Sequence, residues 1–368
     1  MKKILLVSDC SEYQICGVQR KQNELKEHIE KKNMKCLLIN PDIFFTIRAP
    51  YWKDVKLVLP TPLSYIKFKN IINDFDPNNI CFMTEGTLGL MGILHCIMTG
   101  REFSTMRCTR LEEYFNYSIS KNFISKYIDL FHRYSRCCIT PSIELSKINN
   151  HKNSVGILNG CDTKNFSAEG PKDIEILKNK KPLWLYVGRI TEEKNIKEIL
   201  KISKLLDGTF IFVGDGPLKK LLIGNNIITL GWKQGKDLEK IYRSCDIFIF
   251  PSKTDTFGQV MVEAMASGLP VAAYNTYGPN EVIKNNITGY ISNDLHTSCL
   301  KTLKLLDNKD TIDNCIKHAK TFSWDKMTTE FLENQVLCKY KYNIYNYLFI
   351  ISIPLLLINC HFIRKTMF

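Results

Sequence analysis

Short runs rich in β-branched and aromatic residues alternate with helical stretches along most of this chain, and the alternation happens twice. That pattern dictates parallel sheets with helices on both faces, because a parallel crossover needs a connection of helix length. In the first half the strand candidates are 3–7, 36–40, 56–59, 80–84, 137–140 and 154–158, with helical character at 18–31 and 88–98. In the second half they are 183–187, 210–213, 227–230, 247–250 and 271–274, separated by helices at 195–206, 236–244 and 258–267. The polar stretch 167–181, with Gly170 and Pro171, is the natural linker. The expected fold class is α/β: two doubly wound, Rossmann-like domains facing a cleft, with ligand at the C-terminal ends of the strands.

At 368 residues, with 45% hydrophobic and 24% charged, each half can bury its own core without covalent staples. The 14 cysteines form no Cys-x-x-Cys pair and no zinc-ligand spacing, which fits a reduced, cytoplasmic compartment. Adjacent Cys137 and Cys138 read as buried thiols. The net charge of +13 leaves two readings: a solvated basic surface, or attraction to acidic headgroups and phosphate-bearing substrates. Without a basic helix interleaved with aromatics, nucleic acid is not an expected partner. The apolar run after Lys2 and Lys3 ends at Ser8-Asp9, too short for a signal peptide. Residues 345–363 are different. They form a mostly apolar stretch close to the roughly twenty residues that span a bilayer, flanked by Lys339, Lys341, Arg364 and Lys365. Asn346, Pro354 and Asn359 interrupt it, so it reads either as a membrane anchor or as a packing helix.

Four strand exits carry candidate chemistry. Gly17 stands at the entry of the first helix, where backbone amides can approach a phosphate, although a plain turn also explains it. Gly188, Arg189 and Lys194 follow the strand 183–187, where two cations could hold a diphosphate; a surface pair flanking a loop is the bland alternative. Gly214-Asp215-Gly216-Pro217 is explained by a tight turn alone. The richest segment follows the strand 247–250: Asp255, Thr256, Phe257 and Gly258 lead into a helix that carries Glu263 among apolar neighbours. Asp255 could accept sugar hydroxyls or merely cap the helix, and Glu263 could accept a ribose diol.

Two acids with Phe257-Gly258 between them, together with Gly188–Asn195 and Gly214–Pro217, resemble the family-4 glycosyltransferases of GT-B fold. The likeness runs from Lys3 to Asn334. It is closer to the branch that holds GDP-mannose-dependent α-mannosyltransferases and sulfoquinovosyl- and glucuronosyl-diacylglycerol synthases. Thr84–Gly89, Thr109-Arg110, Glu113-Tyr114, Thr140–Ser142, Asn159–Asp162, Ser252–Gly258 and Phe322–Asp325 carry that closer likeness.

The resemblance implies a retaining hexosyltransferase that uses a GDP- or UDP-sugar, with no bound metal or other cofactor. Arg189 and Lys194 would hold the diphosphate, Glu263 the ribose, and Asp255 with the amides after Phe257 the sugar. Gly17 would lie against the phosphates, Gly231 near the base, and Glu85, Arg110, Glu113 and Tyr114 on the acceptor side. The implied division is an N-terminal domain at 1–168, a nucleotide-sugar domain at 169–322, a helix crossing back at 323–340, and the tail at 341–368. A lipid or lipid-linked acceptor at a membrane surface is the leading expectation, and a soluble glycan the rival.

One departure stands out. Where the branch reads His-Thr-Arg-x-Pro-Glu-Tyr, this chain reads Cys108-Thr109-Arg110-Leu111-Glu112-Glu113-Tyr114. Cysteine is shorter than histidine and a weak donor, so a slowed enzyme, a different sugar, or a fold kept for binding without turnover all follow from it. His132 matches a different histidine of the family and reads as structural. The Asn116 and Asn286 sequons are chance matches in an Asn-rich chain.

Overall fold

A computed structural model of the chain describes residues 1–14, 16–48, 56–110, 118–149, 151 and 153–335. Two compact units emerge. The first comprises Met1–Thr140 and Ser146–Ile157 with the segment from Thr328 onward; the second comprises Pro141–Leu145 and Leu158–Met327.

The first unit contains β1 (Lys3–Val7), α1 (Gly17–Lys31), β2 (Lys35–Ile39), β3 (Thr46–Arg48), β4 (Lys56–Val58), α2 (Pro62–Phe75), β5 (Asn79–Phe82) and α3 (Thr87–Thr99). It continues with β6 (Ser104–Met106), α4 (Ser118–Arg133), β7 (Cys138–Thr140), α5 (Ile143–Ile148, cut by the division) and β8 (Ser154–Gly156). The sheet order is β2-β1-β5-β6-β7-β8, all parallel. Ile4–Val7 are buried without alternation, as a strand covered on both faces requires.

The expected strand at 56–59 does not join that sheet. Lys56–Val58 instead pairs antiparallel with Thr46–Arg48, and Pro60 and Pro62 stop it, since proline has no N–H for a ladder.

The second unit contains α6 (Ile174–Leu177), β9 (Leu183–Val187), α7 (Ile196–Ile202), β10 (Thr209–Val213), β11 (Ile227–Gly231), α8 (Gly235–Ser244) and β12 (Ile247–Phe250). It ends with α9 (Gln259–Ala266), β13 (Val271–Tyr274), α10 (Tyr277–Val282), β14 (Gly289–Ser292), α11 (Leu295–Leu305), α12 (Thr311–Ala319) and the start of α13 (Trp324–Asn334). Its parallel sheet runs β11-β10-β9-β12-β13-β14, the Rossmann order. Leu183 and Leu185 join one core cluster and Trp184 and Tyr186 the other, so successive side chains of β9 feed opposite faces.

The stretch 167–181 is no loose tether. Asp173 caps α6 by accepting from the Glu175 and Ile176 amides, its own N–H donates to Ser244 Oγ at 2.7 Å, and Ile176 is buried in the core. The polar residues there are the solvated face of a packed segment.

Each sheet reverses its winding beside its first strand, at β1/β5 in one unit and at β9/β12 in the other. Chains leaving such strands diverge, and open α/β sheets bind ligands in the resulting crevice. The candidate residues of both halves come mostly from the segments that follow these four strands.

Candidate active site

In the second unit, β9 and β12 are neighbours, with Trp184 opposite Ile247. Their exits bring Lys194 and Asp255 together, with Arg189 on the same exit as Lys194. Lys194 Nζ donates to both oxygens of Asp255, at 2.6 and 2.8 Å, with the two side chains 18% and 22% exposed. The pair is therefore within reach of solvent and of a ligand. Arg189 is half exposed and pairs with Glu193 at 3.0 Å. Asn195, held in the left-handed region at φ 55°, donates from its side-chain Nδ2 to Pro251 O at 3.2 Å and ties the two exits together. Ser252 Oγ and Thr191 Oγ1 are buried in these segments with no hydrogen-bond partner among the described residues.

Backbone crowding explains several glycines here. A Cβ at Gly214 would run into Gly188 O, and one at Gly216 into Ile190 O. Gly188 N–H donates to Val213 O at 3.0 Å, and Ile190 N–H to Asp215 O at 2.8 Å, so the two strand exits lie backbone to backbone. Gly214 and Gly216 are accounted for by this packing. Gly258, at φ 80°, enters α9 with Met261 and Phe250 pressed against its Cα. Phe257 is buried edge-on against Phe322, 5.8 Å between centroids. Gly278 lets α10 come against this loop: a Cβ there would lie 2.9 Å from the carbonyl oxygens of Asp255 and Phe257. Thr256, between them, is partly buried.

Glu263 is 2% exposed and accepts a hydrogen bond from Tyr242 Oη of α8 at 3.1 Å. Nothing in the sequence singles out Tyr242; a tyrosine on an amphipathic helix looks like any core residue. Gly231 ends β11 at φ 68° in open space, so its backbone conformation accounts for the glycine. Exposed Trp232 follows it.

The first unit differs. Asp9, just past β1, is buried, and its carboxylate accepts from the Gly86, Leu88 and Gly89 amides at 3.1, 2.7 and 3.2 Å and from Thr84 Oγ1 at 3.0 Å. It caps α3 across 79 residues of sequence. A Cβ at Gly86 would collide with that carboxylate. Burial raises the Asp9 pKa to about 6 against the pull of these donors.

Glu85 is not a solvent-facing acid. Its Oε1 lies 3.2 Å from His132 Nε2, and both residues are buried. His132 Nδ1 lies 2.8 Å from Thr105 Oγ1, whose proton goes to Ser135 Oγ, whose own proton goes to His132 O. That chain of donors makes Nδ1 a donor, and Nε2 meets the Glu85 carboxylate, an arrangement that favours the charged ring. Burial opposes the charge, but neighbouring Cys138 and Glu85 hold the pKa up, at about 9. Tyr127 Oη donates to Glu85 O at 2.6 Å.

Cys108 follows β6 with its thiol pKa raised by burial, and the Lys21 charge acts against that rise. Lys21, on α1, is 2% exposed, and its Nζ has no hydrogen-bond partner among the described residues. Gly17 opens α1 in open space, so crowding does not demand glycine there. Arg110 is partly buried at the edge of the described region. Glu113 and Tyr114 lie outside the described residues, as does the apolar tail.

Two doubly wound units of parallel sheet are shared with solved structures of GT-B fold, and residues 171–322 match the family "Glycosyl transferases group 1". The chain thus carries a group 1 glycosyltransferase domain, which contains Arg189, Lys194, Asp255 and Glu263. Among relatives, it is 36% identical over 170 residues to the sulfoquinovosyl transferase SQD2 of Arabidopsis thaliana, covering 42% of this chain and 33% of that protein. It is 27% identical over 188 residues to a GDP-mannose-dependent alpha-mannosyltransferase of Corynebacterium glutamicum, covering 48% of this chain and 45% of that one. The chain thus spans a third to about half the length of these curated relatives. Among solved structures, a sucrose-phosphate synthase from Thermosynechococcus elongatus matches with a TM-score of 0.73 at 16% identity, covering 90% of this chain and 98% of that one. Anabaena HepE in complex with UDP matches at 0.68 and 15%, covering 90% and 99%. Among the described residues, no helix is long and apolar enough to cross a membrane.

Proposed function

We propose that this chain is a retaining glycosyltransferase that moves a hexosyl group, mannosyl or glucosyl in type, from a GDP- or UDP-sugar to a lipid or lipid-linked acceptor. The observation that carries the reading is the ligand-accessible set Arg189, Lys194 and Asp255 at the β9/β12 switch point, inside the group 1 domain. A diphosphate entering there would draw Lys194 Nζ away from Asp255 and release that carboxylate for sugar hydroxyls. As the sugar leaves, charge grows on the diphosphate, and fixed cations that meet it lower the barrier without a bound metal. Buried Glu263, oriented by Tyr242, presents a carboxylate suited to a ribose diol. Gly17, which crowding does not require, is reserved for the phosphates on this reading.

The names of relatives support the finer parts. SQD2 is a sulfoquinovosyl transferase, and another relative, from Escherichia coli, is a galactosyltransferase acting on a diphosphoundecaprenol-linked sugar. The net charge of +13 and the apolar stretch 345–363 favour work at a membrane surface on the cytoplasmic side.

A thermal-shift panel of UDP, GDP and their sugars tests the donor site, since a bound ligand raises apparent stability. A labelled donor incubated with extracted lipids then tests the acceptor. Product confined to the aqueous phase would overturn the lipid assignment. Nucleotide binding without turnover across donors and acceptors would favour a binding protein that keeps the fold, the outcome Cys108 makes worth testing.

A further inference from the structure

In the segment between β1 and α1, two thiols face each other: Cys10 Sγ and Cys16 Sγ lie 3.3 Å apart. Their surroundings are unequal. Cys10 is buried at 5% exposure and held at both ends of its backbone, its N–H donating to Ser8 Oγ at 3.1 Å and its carbonyl accepting from Gln22 Nε2 at 3.3 Å. Cys16 is partly exposed and is the N-cap of α1, its sulfur accepting from Gln19 N at 3.4 Å.

A sulfur at the start of a long helix is stabilised as thiolate by the amides and dipole there. The hydrogen bond to Cys16, and then burial, drive the Cys10 thiol the other way, well above the usual thiol range. One sulfur is thus reachable and set at a helix start, and the other is sheltered, protonated and in contact with it. Those are the requirements for an attacking thiol and a resolving thiol. A disulfide needs the sulfurs at about 2.0 Å. The remaining approach falls to Cys16, because the backbone of Cys10 is fixed.

We propose that Cys10 and Cys16 form a redox-modification site, a dithiol converted to an intrachain disulfide by a low-molecular-weight disulfide such as oxidised glutathione. The Cys16 thiolate attacks one sulfur of the small disulfide, giving a mixed disulfide and one small thiolate. Cys10 then loses its proton, attacks the Cys16 sulfur and expels the second small thiolate; one of the two small thiolates takes up that proton. The protein's thiolate and thiol become one disulfide, and the small disulfide becomes one thiol and one thiolate. Closure draws the Cys16 sulfur from Gln19 N and displaces Gly17, its chain neighbour. That last effect on nucleotide binding rests on the function proposed above; the modification itself does not.

The test equilibrates the whole chain in glutathione buffers of increasing oxidation, blocks remaining thiols by alkylation and maps peptides by mass. The expected result is a 10–16 disulfide, reversed by dithiothreitol and unaffected by Cys108→Ser. Cys10→Ser should instead trap glutathione on Cys16, and Cys16→Ser should leave Cys10 as a thiol. Alkylation of both residues of the wild type in the most oxidising buffer overturns the proposal. So does a disulfide that pairs either residue with another cysteine. UDP and GDP binding is then compared in the two states, and roughly tenfold weaker binding when oxidised is expected. A disulfide with unchanged nucleotide affinity overturns the coupling to Gly17. A protein that forms the disulfide yet binds no nucleotide in either state overturns the donor-site reading and leaves the modification site established.

Discussion

The two units place charge in opposite ways. At the β9/β12 exits of the second unit, Lys194, Asp255 and Arg189 are paired yet partly open to solvent. At the β1/β5 exits of the first, Asp9 and Glu85 are buried and engaged with protein partners, His132 of α4 among them. The same topological position therefore leaves charge open to solvent in one unit and ties it into the scaffold in the other. Exposed charges stay available because water already solvates them, so a ligand displaces little. Buried ones are fixed, because each partner lost strands a charge in an apolar interior.

Mutations can break that contrast. The largest effect is expected at the buried pair: Glu85→Gln leaves the His132 imidazolium without its counter-charge and should cost about 3–5 kcal/mol in urea unfolding. A loss below about 1 kcal/mol would mean that the pair is not a scaffold. The pH dependence follows from the same pair. The folded His132 pKa of about 9 lies above its ordinary 6.5, so its contribution is complete below pH 6.5 and is lost as pH rises through 9. That amounts to about 3 kcal/mol, read from unfolding curves across this window and absent in His132→Gln.

In the second unit the effect should fall on chemistry. Lys194→Ala should lower kcat/KM by about 100-fold, with stability changed by less than about 1 kcal/mol; unfolding instead would erase the contrast. Gly278→Ala tests the backing of the donor loop: its Cβ would press on the Asp255 and Phe257 carbonyls, and a loss of about 1–2 kcal/mol is expected by calorimetry. The smallest effect belongs to Lys21→Met. Removing a buried ammonium without a hydrogen-bond partner should leave stability unchanged or raise it by up to about 1 kcal/mol.

Much of this was legible in the sequence, and the limits have physical causes. The strands at 3–7, 183–187, 247–250 and 271–274 are found at those boundaries because long apolar runs flanked by polar residues admit no other reading. Ser104–Met106 was missed because three residues carry no periodicity; the sheet on either side makes it a strand. Gly289–Ser292, with its glycine and serine, has weak strand propensity and depends on pairing with β13. Arg189, Lys194 and Asp255 could be singled out because each follows a strand, yet the Lys194–Asp255 ion pair could not, since 61 residues separate its partners. The contact of Glu85 with His132 is likewise not legible, since 47 residues separate them.

The Asp9 cap carries one more consequence. The amides of Leu88 and Gly89 are held by a carboxylate 79 and 80 positions earlier in the chain. Helix α3 cannot protect them by itself, because the first amides of any helix lack an internal acceptor. Their exchange with deuterium therefore times the docking of the chain's opening strand, and two peptide groups become a clock for the assembly of the whole first unit.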